Sequence, residues 1–112
     1  MAKEFLGEFE EIILTLVAGL HEDAYGAAIA EEIETRLKRE VNLSAVHVTL
    51  YRLEDKGLIK SKFGGGTSER GGRRKRVFLL TASGKKALEE ANEMRNQLFS
   101  QIPKVALRFS AA

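Results

Sequence analysis

The side chains most suited to chemistry lie in GGGTSERGGRRKR, residues 64–76, where five glycines stand among five arginines and lysines. Cations of this kind bind phosphate, and glycine lets the backbone follow a sugar-phosphate contour closely. A Walker A loop would need a lysine where Gly72 stands, and Glu69 breaks the GxGxxG pattern. Nucleic-acid phosphates are therefore the better fit, although a solvated basic loop would have the same composition. The predicted phosphate contacts in and just before this stretch are Lys62, Arg70, Arg73, Arg74 and Lys75.

The charge of the chain is separated along its length. The whole protein of 112 residues has a formal charge of only +2. Residues 1–34 contain nine acids and one lysine, whereas residues 60–76 contain seven bases and one acid. Such separation indicates one basic surface that faces a polyanion. Periodicity predicts a first helix over residues 5–20, and its acids Glu8, Glu10 and Glu11 lie largely off its apolar stripe and are predicted to form a solvated face.

Apolar spacing and capping residues predict the elements that must position these charges. Residues 5–20, 25–37, 45–56 and 81–101 show helical periodicity, and residues 58–63 and 73–80 are predicted strands on either side of the glycine-rich loop. Asp23, Ser44 and Thr81 are predicted N-caps, with Gly57 just after the third helix. Residues 41–43 are too short to assign and could add one strand pairing.

The order of these elements is that of a winged helix-turn-helix, a mainly α (α+β) fold. We predict a single domain over residues 1–112. Within it, the helix-turn-helix spans about 24–57 and the wing hairpin about 58–80, followed by a C-terminal helix over about 81–102.

The third helix, SAVHVTLYRLEDKG, carries the second candidate site. At 100° per residue, Val46, Leu50 and Leu53 face the core. The opposite side begins with small or uncharged residues, which suits a helix that enters a major groove about 12 Å wide. An ordinary amphipathic helix would show a similar pattern. The predicted DNA contacts are Ser44, Ala45, His47, Val48, Thr49 and Arg52, with His47 and Thr49 on the flanks.

Other classes of function have little support. The two histidines, His21 and His47, lie far apart in sequence, and three consecutive residues such as 21–23 do not converge on one metal. We assign no catalytic residue, metal or cofactor. The chain has no cysteine and no apolar run of about 20 residues, so we predict a cytoplasmic protein that does not bind a membrane.

The sequence resembles the PadR family of bacterial transcriptional regulators. The resemblance is carried by four stretches: LGEFEEIILTLV (6–17), EDAYGAAIAEEIE (22–34), LSAVHVTLYRLEDKGLIKSKFG (43–64) and ERGGRRKRVFLLTASGKKAL (69–88). It implies a winged helix-turn-helix, a homodimer built through the terminal helices, repression of nearby genes and, in some relatives, a small-molecule effector. The family often has tyrosine at the position of His47, where it lies against the DNA backbone. The short region after the fourth helix resembles the compact class of the family.

The sequence thus predicts a homodimeric, sequence-specific DNA-binding repressor with a pseudo-palindromic operator. A winged-helix module that binds an acidic protein partner is the alternative, and a small nucleotide-hydrolysing enzyme is a weaker one. The last helix carries an apolar stripe that a second subunit would cover. The predicted dimer interface comprises Phe5, Phe9, Ala91, Met94, Leu98 and Ile102.

Overall fold

The computed structural model describes residues 5–64 and 75–108, without the side chains of Val105 and Leu107. Its elements are α1 (Glu8–Leu20), α2 (Gly26–Leu37), α3 (Leu43–Asp55), β1 (Ile59–Phe63), β2 (Arg76–Leu80), α4 (Ala82–Ser100) and α5 (Lys104–Leu107), with a short 3-10 turn over His21–Asp23. The strands pair antiparallel, from Ile59 opposite Leu80 to Phe63 opposite Arg76. This arrangement confirms the predicted winged helix-turn-helix.

The core forms where three helices meet the root of the wing. Its fully buried side chains come from one face of each helix and one end of the hairpin, and they confirm the predicted inward face of α3. They include Ile13, Leu14, Val17, Ile29, Ile33, Val46, Leu50, Leu53, Ile59 and Phe78. The Phe78 amide donates to the Ala24 carbonyl at 2.8 Å, so β2 is also bonded to the segment before α2.

The caps of the helices were only partly predicted. Thr81 caps α4 as expected, since its hydroxyl accepts from the Gly84 amide at 3.0 Å, and Gly57 takes φ 78° just after α3. Asp23 is the wrong N-cap, because it ends the 3-10 turn and Tyr25 occupies the N-cap position of α2, without a side-chain capping bond. Ser44 is also wrong: Asn42 caps α3 by accepting from the Ser44 amide at 2.7 Å. With Leu43 already helical, residues 41–43 do not form a strand.

Glu10 corrects the prediction of a solvated acidic face on α1. Glu10 is only 8% exposed, and its carboxylate accepts from the Gly7 amide and from the Lys56 ammonium, both at 2.9 Å. Burial raises the pKa of Glu10, but the Gly7 amide, Lys56 and the charge of Arg52 more than offset this and leave the pKa below its usual value. The carboxylate therefore joins the start of α1 to the end of α3.

We expect Glu10→Gln to lower the free energy of unfolding by about 2 kcal/mol at pH 7, because it removes a hydrogen-bonded charge pair. The folded protein depresses the pKa of Glu10 below 4.5, so its contribution is present above that pH and is lost as pH falls through the folded pKa. Urea unfolding of both proteins between pH 7 and pH 3 measures this. A difference that does not shrink with acid would contradict the stabilising role of the carboxylate.

The molecule has an elongated outline. The chain measures 60 × 38 × 20 Å, and its radius of gyration is 17.2 Å, against about 13 Å for a compact domain of this size. A bidentate pair holds α4 to α1: the Arg95 guanidinium donates to both carboxylate oxygens of Glu11, one of them at 2.7 Å. None of the helices within residues 5–64 and 75–108 combines the length and the apolar composition that a membrane span requires.

Candidate nucleic-acid interface

The outer side of α3 is a slim, open surface. Ser44, Ala45, Val48 and Arg52 are all exposed, and Val48 keeps 54% of its surface accessible although it is apolar. Small side chains at the start of the helix leave its backbone free to approach a groove closely. We name this set, Ser44, Ala45, Val48 and Arg52, the outer face of α3.

Thr49 does not share that surface. Its side chain turns toward the core and is only 5% exposed. It lies on the same flank of the helix as Lys56, which contacts Glu10 of α1. We therefore leave Thr49 out of the proposed contact surface.

His47 occupies the junction between α2 and α3. Its ring is half-buried and stacks on Tyr51 with centroids 6.1 Å apart. A Cβ atom at Gly26 would lie 2.5 Å from His47 Cε1, so the ring fills the space that glycine leaves at the start of α2. Its Nδ1 atom is buried and has no hydrogen-bond partner among the described residues. The histidine therefore packs two helices together beside the outer face of α3.

The loop end of the wing hairpin reaches the same region. Lys62 and Lys75 are exposed, and the Lys75 ammonium lies 4.2 Å from the centroid of the Tyr25 ring, a cation–π contact. Because Tyr25 immediately precedes Gly26, Lys75 and His47 approach the same end of α2. Arg70, Arg73 and Arg74, the predicted contacts at the wing tip, lie outside the described residues.

A polar cluster between α3 and the wing was missed at the level of sequence. Glu54 on α3 binds Arg76 of β2 and Ser61 of β1. Arg76 lies two residues before Phe78, so both side chains are on the same face of β2. This alternation could have predicted from sequence that Arg76 points toward α3 and the core. A cation on the side of the strand that faces the core requires a partner there.

The predicted dimer residues fall into two groups. Phe5, Ala91 and Met94 line a groove of about 200 Å³ between the start of α1 and the middle of α4. Phe9 packs against the core and lies beneath the guanidinium of Arg39, 5.8 Å from its ring centroid. Leu98 is 61% exposed and Ile102 37%, beyond the groove. Phe99, equally exposed, extends this apolar end of α4.

Comparisons with known proteins agree with one another. Residues 13–90 match the transcriptional regulator PadR-like family. A PadR family transcription regulator from Clostridium difficile R20291 is 28% identical with a TM-score of 0.65, over 84% of this chain and 93% of that one. RosR from H. salinarum is 28% identical with a TM-score of 0.67, over 92% and 86%.

A PadR-like transcription factor from Bacteroides fragilis is similar at the level of the fold. It is 22% identical with a TM-score of 0.69, over 82% of this chain and 84% of that one. Comparison with curated proteins gave no match.

Proposed function

Since this chain belongs to the PadR-like family of transcriptional regulators, we propose that it is a homodimeric repressor that binds a pseudo-palindromic operator in double-stranded DNA. The observation that carries the proposal is the arrangement around the start of α2. The slim outer face of α3 lies next to His47, which packs on the start of α2, and Lys75 at the loop end of the wing hairpin approaches the start of α2 as well.

In this proposal the outer face of α3 enters the major groove. Val48, exposed and apolar, is suited to a thymine methyl group, and Arg52 to a guanine edge or a phosphate. The wing cations follow the backbone, where contacts fix orientation without reading sequence. His47, half-buried beside Tyr51, would approach a phosphate with the part of its ring that stays accessible.

The dimer in this proposal uses α4. Its exposed apolar end, together with an elongated monomer, supports a partner that covers Leu98, Phe99 and Ile102. Two-fold symmetry would then present two copies of α3 to half-sites about 34–36 Å apart, which matches one turn of DNA.

We expect the protein to sediment as a dimer and Leu98→Asp to sediment as a monomer at micromolar concentration. A carboxylate within an apolar contact is costly because it loses its water. Asn92→Asp is the matched control, since it adds the same charge at an exposed position of the same helix. A monomeric parent protein, or a Leu98→Asp protein that remains dimeric, would place the interface elsewhere.

We expect Arg73→Ala with Arg74→Ala to weaken binding to every duplex and to reduce the salt slope, log affinity against log salt concentration, by about 1.8, two phosphates' worth. Fluorescence anisotropy with an upstream-region duplex and a scrambled duplex measures both quantities. Lys85→Ala with Lys86→Ala removes the same charge from exposed positions on α4 and serves as the control.

The same titration separates the proposed function from its rival. A repressor prefers the operator duplex over the scrambled one, and the preference persists as salt rises. Undetectable binding of both duplexes at low salt would remove the DNA-binding proposal and favour a module that binds an acidic protein.

A further inference from the structure

We propose that Glu54, Ser61 and Arg76 form a latch that fixes the angle of the wing against α3 and thereby sets how firmly the wing grips DNA. Glu54 and Arg76 are then positioning residues that act through the wing and need not touch DNA themselves. The effect on DNA rests on the proposed function, whereas the latch itself is a property of the free protein.

The three side chains close a ring between three elements. The Ser61 hydroxyl of β1 donates to Glu54 Oε2 at 2.6 Å and accepts from Arg76 Nε at 3.0 Å. Arg76 Nη2 of β2 donates to Glu54 Oε1 at 2.9 Å. Both wing strands are therefore bonded to a single carboxylate on α3.

Aromatic rings hold the guanidinium in place. Arg76 Cζ lies 5.0 Å from the centroid of the Tyr51 ring on α3 and 5.6 Å from that of Phe78 on β2. A planar guanidinium that lies close to two rings and is bonded through two nitrogens has fewer alternative positions than a free one. Arg76 is thus specified in orientation more tightly than a surface arginine with one ion-pair partner.

The latch acts toward the loop end of the hairpin, where Lys75 on the Tyr25 ring is a second contact. Ile59 and Phe78 anchor the root of the wing in the core, but Phe63, at the other end of β1, is 64% exposed. Its register partner is Arg76, so the latch holds the hairpin at its last pair before the glycine-rich loop. A two-stranded sheet has little stability of its own, so side-chain bonds to α3 contribute to where this end points.

The charge of Glu54 allows a sharp test, because repulsion of DNA by this carboxylate and positioning of the wing by it predict opposite changes in DNA affinity when Glu54 is removed. A carboxylate beside a DNA-binding surface repels phosphates, so its removal alone would strengthen binding. If Glu54 holds the wing, its removal weakens binding instead, and the salt slope becomes shallower as wing phosphates are lost. Asp55→Asn removes the same charge from the next residue of α3, which is exposed, and is the matched control.

We expect Glu54→Gln to bind the operator duplex about fivefold more weakly than the parent protein, with a salt slope smaller by at least one phosphate's worth, about 0.9. Asp55→Asn should bind as well as the parent or better. The exchanged pair, Glu54→Arg with Arg76→Glu, should recover the parent slope. Tighter binding by Glu54→Gln, or an unchanged slope, would overturn the latch.

Amide hydrogen exchange on the free protein tests the latch without DNA. The Gly64 amide donates to the Lys75 carbonyl at 2.7 Å beyond the latch, and the Thr81 amide donates to the Leu58 carbonyl at 3.1 Å at the root of the wing. Glu54→Gln should accelerate exchange at Gly64 and leave Thr81 unchanged. Equal exchange at Gly64 in both proteins would refute the latch, whereas failure of the parent to bind any duplex would refute only the proposed function.

Discussion

Gly84→Ala is expected to lower the free energy of unfolding by about 3 kcal/mol, at the upper end of the cost of overpacking a core. Gly84 is buried in the first turn of α4, against Leu58, the residue before β1. A Cβ atom there would lie 2.0 Å from the carbonyl oxygen of Leu58 and 2.8 Å from Leu80 Cδ1. The oxygen belongs to the backbone, so relief requires moving α4 away from the sheet. Urea unfolding at pH 7 measures the loss.

Gly19→Ala is the control for that substitution. Gly19 lies within α1, and a Cβ atom there would meet nothing within 4 Å. Alanine is the better helix former, so we expect this change to stabilise the protein by about 0.5–1 kcal/mol. Alanine at these two helical glycines should therefore change the free energy of unfolding in opposite directions. Equal stability of the Gly84→Ala protein and its parent would show that α4 is not seated on β1 in this way.

Val48→Asp is expected to reduce operator affinity at least about 100-fold, which corresponds to a repulsion of roughly 3 kcal/mol. The substitution places a carboxylate in the middle of the outer face of α3, where the proposed function brings a groove lined by phosphates. Because the side chain is exposed in the free protein, the fold should tolerate the change. Anisotropy titration at one fixed salt concentration gives the affinities, and circular dichroism confirms the helices.

Asn92→Asp again provides the comparison, because it adds one negative charge on α4. If both variants lost affinity equally, the cause would be net charge rather than the location of Val48. Retention of full affinity by Val48→Asp would move the proposed DNA contact away from the outer face of α3.

Periodicity was a sound guide wherever burial followed from local spacing. Val46, Leu50 and Leu53 repeat at four and three residues, and the structure buries all of them. The burial of charged residues was harder to predict, because their surroundings depend on contacts with residues distant in sequence. Glu10 appeared solvated among neighbouring acids, yet its partner Lys56 lies 46 residues away. No pattern along α1 contains that information.

Capping residues show a different limit. Asn42 and Ser44 are both good N-cap residues and lie two positions apart, so composition alone does not choose between them. The backbone decides: Asn42 is extended at ψ 127° and accepts from the Ser44 amide, which is already inside the helix. The role of Arg76 was also not predicted. It belongs to the five cations of residues 64–76, and its neighbours suggested that all five bind phosphate.

The seat of Gly84 on Leu58 has a mechanical consequence. The Leu58 carbonyl also accepts from the Thr81 amide, and the Thr81 hydroxyl donates to the Gly57 carbonyl. These bonds make the junction between α4 and the hairpin rigid. In a dimer built on α4, a change in the angle between subunits would swing both hairpins with it. The distance between the two DNA-contacting units and the tilt of their hairpins would then vary together, because α4 and the hairpin of each subunit move as one rigid unit.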